Sequence, residues 1–484
     1  MSDNPKKVII VGGGISGLSA AYFLQERLRS VAAPIECQLI ESRARLGGVI
    51  VTDRVNDFII EGGPDSFLSQ KPWALELCQK LGLGAQLVSS NDAQRKTYVL
   101  IGGKLVELPE GLSLIVPTRI MPFVRSPLIS WRGKLRMGMD LFIARRTESG
   151  DESIGHFVRR RLGREAAERI AQPLIGGIYG GDIEKISVQS TFPFFLDMER
   201  KHGSLLRGIL AQPRSNAHPR TPGESPSQWG LFVSLRDGLS GLVSALVARL
   251  DRTSLITGQR VLRVQPASAS TGPRYEVQIE NEPSLYADAV VLATPAYLTA
   301  GLLESIDPTI PELLRQISYV SSATVALAYK RSQVAHPLKG FGFVVPKTEG
   351  RRLIACTWVS NKFPHRAPGD HVLLRCFLGG ASAESVVETN DDRSLIALAR
   401  EELRQLMGIN AEPMLTRVYR WEKSMPQYLV GHLDRLAALD RALSVHPGLF
   451  LTGNAYRGIG IPDCIHQGAL AAEQVAKHLD GITG

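Results

Sequence analysis

The chain has 484 residues, 44% hydrophobic and 21% charged, too long for a peptide or small disulfide scaffold and too apolar for wholesale disorder. Its formal charge of +9 admits a polyanionic small molecule or acidic lipid as partner; no RNP, zinc-finger or dimeric basic-helix pattern accompanies the charge, so a nucleic-acid partner is set aside. Five cysteines, Cys37, Cys78, Cys356, Cys376 and Cys464, form no C-x-x-C pair, which argues against a disulfide framework or a metal site and for a reducing compartment.

The opening MSDNPKKVIIVGGG runs straight into a strand without a signal-peptide apolar region, and no run of about 18 apolar residues occurs anywhere. A cytoplasmic location is expected, with peripheral contact to the cytoplasmic membrane left open. Lys7–Val11 reads as a buried parallel strand. Gly12-Gly13-Gly14-Ile15-Ser16-Gly17 follows at once, a G-x-G-x-x-G ahead of a helix-period stretch. Its glycines supply a tight turn, close backbone approach to a pyrophosphate, and close helix–strand packing; the helix N-terminus offers unpaired N–H groups to the phosphates. Cys37–Ile40 reads as the next strand, ending at Glu41, 24 residues after Gly17, where an acid meets a ribose hydroxyl. A dinucleotide binds here. The stretch Glu41–Gly48 (ESRARLGG) adds Arg45 and a second glycine pair that nicotinamide units do not need. It resembles the E-x-x-x-R-x-G-G signature of the flavin amine oxidase superfamily, which implies FAD.

Phe58–Ser69 (FIIEGGPDSFLS) reads as a strand entering a turn where Gly62 and Gly63 leave room for an isoalloxazine ring. Pro72–Leu83 reads as a helix and Thr97–Leu108 as a hairpin turning at Gly102-Gly103. Residues 130–170 have helical period. Between Pro117 and Ile170 there are twelve Lys/Arg against six Asp/Glu, so +6 of the +9 lies there. That is either a surface for a membrane or partner or a solvated helical face. Residues 211–228 are Pro/Ser-rich and read as a loop. Leu231–Leu250 carries a helical pattern; Ile256–Val264, Tyr275–Ile279 and Ala289–Ala293 read as strands. Tyr319–Tyr329, Phe341–Val345, Leu353–Trp358 and Val372–Leu378 form a strand-rich block, expected as a mixed sheet. Gly448–Gly460 is strand then glycine loop, and Ile461–Leu479 a helix whose N-terminus would stabilise negative charge on a reduced flavin. No second Rossmann unit is present for NAD(P)H, which fits an oxidase using dioxygen.

Over nearly its whole length the chain resembles the oxygen-dependent porphyrinogen oxidases of haem biosynthesis, the coproporphyrinogen III / protoporphyrinogen IX oxidase family. The resemblance is carried by VGGGISGLSAAYFL, ESRARLGG, EGGPDSF, PLIGGIYGGDIEKISVQSTFP, SYVSSATVALAY, GFGFVVP, RWEKSMPQY and LTGNAYRGIGIPDCI. GGPDSF with ACTW is most similar to the bacterial coproporphyrinogen-oxidising branch. The fold class implied is α/β: a discontinuous Rossmann-like FAD-binding domain, a mixed-sheet substrate domain and a helical domain. The expected boundaries are FAD-binding at 1–90, 201–300 and 415–484, a helical, basic, membrane-association segment at 91–200, and a substrate domain at 301–414. The reaction implied is six-electron oxidation of a porphyrinogen to the porphyrin, with FAD N5 accepting hydride and O2 reoxidising the flavin to give H2O2. Cofactor chemistry of this kind needs no acid–base side chain, and no catalytic residue stands out.

The resemblance also implies site residues. Gly12, Gly13, Gly14, Ile15, Ser16, Gly17, Glu41, Ser42, Arg45 and Val49 would hold the ADP half of FAD, with Val261 meeting the adenine through its backbone. Gly63, Pro64, Asp65 and Ser66 would touch the flavin, as would Trp421, Gly460, Ile461 and Pro462. Gly177 would lie beside the reacting carbon, with Phe341, Val344, Thr357 and Phe377 as walls. Plant and animal relatives carry a propionate-binding arginine where this chain has Thr97, and the bacterial branch a lysine matching Lys71. Lys71 is therefore the expected propionate anchor, with Arg95 and Lys96 as spares. A homodimer, a downstream haem-pathway enzyme and the membrane remain open as partners. Two rivals stand beside this reading: another flavin amine oxidase-type enzyme, such as a polyamine oxidase or desaturase, and a non-catalytic FAD-bound scaffold.

Overall fold

The apolar run after Lys6 becomes β1 (Lys6–Val11), with Val8 to Val11 at most 4% exposed. It is followed by α1 (Ile15–Leu28) and β2 (Ile35–Glu41). In the computed structural model, which describes residues 5–28, 35–148, 150–211, 229–268 and 272–483, further elements matter to the site. These are α2 (Pro72–Lys80), the hairpin β3 (Thr97–Ile101) and β4 (Lys104–Glu107), and α3 (Gln172–Tyr179). Then come β5 (Thr253–Thr257), β6 (Val261–Pro266), β7 (Ala289–Leu292), β8 (Tyr319–Lys330), β9 (Gly342–Val344), β10 (Leu353–Trp358), β11 (His371–Gly379) and β12 (Leu415–Pro426). The series closes with β13 (Leu449–Leu451) and α4 (Ile461–Thr483).

Five strands in the order β5-β2-β1-β7-β13 pair in parallel throughout, which explains their unbroken apolar runs. One core joins Leu18 and Leu24 of α1 to Leu242, Leu246, Ile465 and Val475. Helix α4 lies against α1 so closely that a Cβ on Gly468 would stand 2.6 Å from the Ser16 carbonyl. The second large sheet runs β12-β8-β11-β10-β9-β3-β4. It is antiparallel except where β9 pairs with β3 in parallel, and so it is mixed, as expected. Behind it pack Phe343, Leu353, Trp358, Leu374, Leu395 and Leu403. A helical part completes the chain, with Trp131–Gly138 capped by Ser130 and Ile154–Leu162 by Ser153. Its core includes Phe123, Met137, Phe157, Leu162 and Ile175.

Several elements differ from the sequence reading. Leu231–Leu250 is not one helix: Phe232–Leu235 is a strand, and the helix starts at Ser240, after Gly238 turns the chain at φ +97°. Ile256–Val264 splits into β5 and β6 at Gly258, whose φ is +74°, and the halves enter different sheets. Two pieces of the large sheet come from outside 301–414. The β3–β4 hairpin joins through β9, and β12 pairs along β8 from Tyr319↔Pro426 to Ala328↔Leu415. Residues 212–228, most of the expected Pro/Ser-rich loop, lie outside the described residues.

Candidate active site

In the parallel sheet β2 and β7 flank β1 on opposite sides, which opens a crevice at the carboxyl ends of the strands. The glycine turn sits in it. A Cβ on Gly12 would meet the Ala293 carbonyl at 2.8 Å, and one on Gly17 would meet the Gly12 carbonyl at 2.0 Å. Both glycines are required by packing. A Cβ on Gly14 would meet nothing nearer than the Gly48 Cα at 4.0 Å, so bare backbone is left beside the first turn of α1, where Ile15 and Ser16 are buried. Glu41 braces the turn: Oε2 accepts from the Gly13 N–H and Oε1 from the Arg43 N–H, each at 2.8 Å. The Ser42 hydroxyl adds a 3.3 Å bond to Oε1. Arg45 donates to the Gly48 carbonyl at 2.7 Å, beside Val49. Gly258 and Gln259 donate to the Arg43 and Glu41 carbonyls, which brings Val261 to the same edge. The expected ADP-half residues thus converge at one end of the sheet, and a bare glycine backbone at a helix N-terminus fits a pyrophosphate.

The glycine turn after Phe58–Glu61 is gripped by the large sheet. The Gly62 carbonyl accepts three bonds, from Thr324 Oγ1 at 3.0 Å, Arg375 Nη2 at 3.1 Å and Trp421 Nε1 at 2.9 Å. Arg375 also donates to the Gly63 carbonyl. A Cβ on Gly63 would lie 1.8 Å from the Val49 carbonyl, so the turn is seated directly on the ADP loop. Beyond Pro64, Asp65 takes both carboxylate oxygens to Lys362 Nζ at 3.0 Å, and Ser66 Oγ bonds Asp65 at 2.7 Å. Burial alone would raise the Asp65 carboxyl; Lys362, Arg375 and Ser66 together hold it well below the usual carboxylate range. Burial lowers the Arg375 guanidinium in turn. Arg375 and Lys362 were not expected. A cation inside the apolar run HVLLRCFLG is the signal that marked Arg375; Lys362 sits in a polar loop that carries no such mark.

At the start of α4, Gly460, Ile461 and Pro462 lead into Asp463, whose Oδ2 accepts from the Gly460 N–H at 3.3 Å. Lys71, at the N-terminus of α2, points to this carboxylate with Nζ 2.7 Å from both oxygens. The lysine expected as a propionate anchor is therefore already paired, although its side chain is 42% exposed. Lys96 is paired with Glu107 at 2.9 Å.

On the large sheet, cross-strand register places Val344, Ala355, Phe377, Thr324 and Tyr419 in one row, and Gly342, Thr357, Arg375 and Ala326 in the next. These residues share a face. Gly177 of α3 lies over it, and a Cβ there would sit 3.5 Å from Val344 Cγ1. Three of the four expected wall residues, Val344, Thr357 and Phe377, are thus brought together opposite Gly177. Phe341 lies outside these rows. It is buried between Gly340 and Gly342, whose φ angles of +135° and +141° interrupt strand alternation, and its N–H donates to the Lys96 carbonyl.

Residues 15–476 match the family described as flavin containing amine oxidoreductase. The chain belongs to that family. It is 39% identical over 481 residues to the coproporphyrinogen III oxidase of Bacillus subtilis, covering 99% of this chain and 100% of that protein. It is 31% identical to chloroplastic protoporphyrinogen oxidase 1 of Arabidopsis thaliana, covering 94% and 85%. A crystal structure from Exiguobacterium sp. 255-15, assigned as a protoporphyrinogen oxidase, superposes with a TM-score of 0.85 at 31% identity over 99% of both chains. Cyclohexylamine oxidase from Brevibacterium oxydans shares the fold at a TM-score of 0.67 and 16% identity, covering 99% and 100%. The cofactor of this oxidoreductase is FAD. Among the described residues no helix is long and apolar enough to cross a membrane.

Many arginines of the basic helical part of the oxidoreductase are paired. Arg159, Arg160, Arg161 and Arg169 pair with Glu184, Glu199, Asp140 and Glu165 respectively. Arg161 and Asp140 are both fully buried. Much of the local charge therefore holds the helices together.

Proposed function

We propose that this flavoprotein oxidises coproporphyrinogen III to coproporphyrin III in haem biosynthesis. FAD supplies a two-electron acceptor. Removal of six hydrogens consumes three O2 and releases three H2O2. The observation that carries this reading is the sheet face bearing Val344, Thr357 and Phe377, with Gly177 at its border. A largely apolar sheet face suits a broad macrocycle, and Gly177 has no side chain to keep a methylene bridge at a distance. The full-length 39% identity to a coproporphyrinogen III oxidase supports the choice of substrate. Phe377, with the Arg375 guanidinium 4.8 Å from its ring centroid, orients one face of the macrocycle. Lys71 meets a propionate from beside Asp463. No side chain is required to move a proton at the methylene.

The test is porphyrin fluorescence over time with FAD-loaded protein and coproporphyrinogen III or protoporphyrinogen IX, corrected for autoxidation. A higher kcat/KM for coproporphyrinogen III is expected. No rate above autoxidation with either would overturn the reading, and anaerobic flavin bleaching by an amine would favour a polyamine-oxidase type.

A peripheral surface contact is favoured by a separate observation. Trp131, Leu135, Met139 and Phe142 are 54–83% exposed on and just after the Trp131–Gly138 helix, beside exposed Arg132 and Arg145. An apolar strip bordered by cations suits an anionic bilayer. Sedimentation with anionic vesicles is expected to be weakened by W131S and L135S; equal sedimentation of variant and parent would overturn it.

A further inference from the structure

Beside Gly177 the structure holds a cavity of about 330 Å³. One wall is α3 and the glycines that follow it; the other is the β9–β10 connection, with Lys347, Arg351 and Arg352. Three cations on one wall of a cavity that opens beside the expected reacting position is a pattern the oxidation chemistry does not explain. The wall is well anchored. Glu349 accepts from the Gly102 and Gly103 N–H groups at 2.8 and 3.2 Å, which ties the connection to the tip of the β3–β4 hairpin. Glu402 accepts from the Arg352 N–H at 3.3 Å.

The three cations are not equivalent. Lys347 faces Asp182 at 3.5 Å, and Arg351 faces Glu402 at 3.7 Å. The Arg352 guanidinium has no acidic partner among the described residues. Arg352, exposed just ahead of β10, lines the cavity. An exposed, unpaired guanidinium on an anchored wall is a carboxylate receptor, able to bind in a bidentate fork.

We propose that Arg352 binds a propionate of the tetrapyrrole and thereby selects the substrate. The proposal rests on the porphyrinogen-oxidase reading given above. Lys71, at the N-terminus of α2 beside Asp463, takes the edge of the macrocycle whose propionates coproporphyrinogen III and protoporphyrinogen IX have in common. Arg352 takes the opposite edge, where coproporphyrinogen III has propionates and protoporphyrinogen IX has vinyl groups. The cation therefore favours the more carboxylated substrate.

The experiment compares kcat/KM for the two porphyrinogens in the FAD-loaded parent, R352Q and R352K, with binding of coproporphyrin III followed by fluorescence. R352Q is expected to lower the coproporphyrinogen-to-protoporphyrinogen ratio about tenfold, the worth of one charge-assisted bond, mainly through KM. R352K is expected to recover part of the ratio and to weaken coproporphyrin III binding less than R352Q does. A parent that oxidises both substrates with a ratio unmoved by R352Q overturns the role of Arg352 alone. A parent that oxidises neither overturns the functional reading and the proposal with it.

Discussion

Arg375, in β11, donates to the carbonyl of Gly62 at 3.1 Å and so links the large sheet to the turn expected to carry the flavin. Replacing it with methionine leaves Gly62 with Thr324 and Trp421, but takes from Gly63 the donor Arg375 supplies, and removes a cation from beside Asp65. We expect R375M to lower stability by about 1–3 kcal/mol, read as an earlier urea midpoint for flavin release. R375K should fall between parent and R375M. If R375M released flavin at the parent's midpoint, the bond would be incidental.

The Lys71–Asp463 pair gives a prediction of opposite signs. D463N keeps an acceptor for the Gly460 N–H but frees the Lys71 ammonium, so KM for a porphyrinogen should fall about threefold, in keeping with a half-exposed pair. K71M should raise it about tenfold. Steady-state kinetics on both variants checks this, and a KM that rises in D463N would show that Asp463, not Lys71, orders the site.

Glycines in the dinucleotide turn should differ in what their replacement does. G17A forces a Cβ into the Gly12 carbonyl and should yield protein purified without yellow colour. G14A meets only an ordinary contact with the Gly48 Cα at 4.0 Å, so its penalty should appear only against FAD. Thermal denaturation of apoprotein should therefore separate the two, with G14A near the parent and G17A well below it.

Acid should weaken the fold through His432. The ring is fully buried, bonded to the Tyr456 carbonyl at 2.9 Å and stacked on Tyr428 at 4.2 Å. Burial pushes its pKa down to about 4. Below about pH 6.5 the unfolded chain takes up a proton that the native ring refuses until about pH 4, so stability falls across that window. The slope is at most about 1.4 kcal/mol per pH unit. Urea midpoints at pH 7.5, 6 and 5 should show a flatter dependence in H432Q than in the parent.

The nucleotide half was legible because its chemistry is local: β1, the glycine turn, α1 and Glu41 follow one another along the chain. The hairpin at Gly102-Gly103 was legible for the same reason. What escaped was assembled across long separations. No local pattern tells that Arg375 meets Gly62, or that Asp463 meets Lys71 392 residues earlier. The break at Gly258 was missed because apolar residues on both sides continue one another's pattern. The charge of the helical part left its role open, because a count of arginines does not reveal that Arg161 is buried against Asp140.

Helix α4 seals α1 through the Gly468–Ser16 approach, and β13 finishes the sheet that begins with β1. Residues 449–483 are thus needed to close a cradle whose glycine turn lies far earlier in the chain. On the ribosome that turn must wait until those residues have emerged. Flavin capture is therefore a late step in biogenesis, and a chain halted before residue 449 would leave the ribosome with the motif intact and no pocket to hold it in.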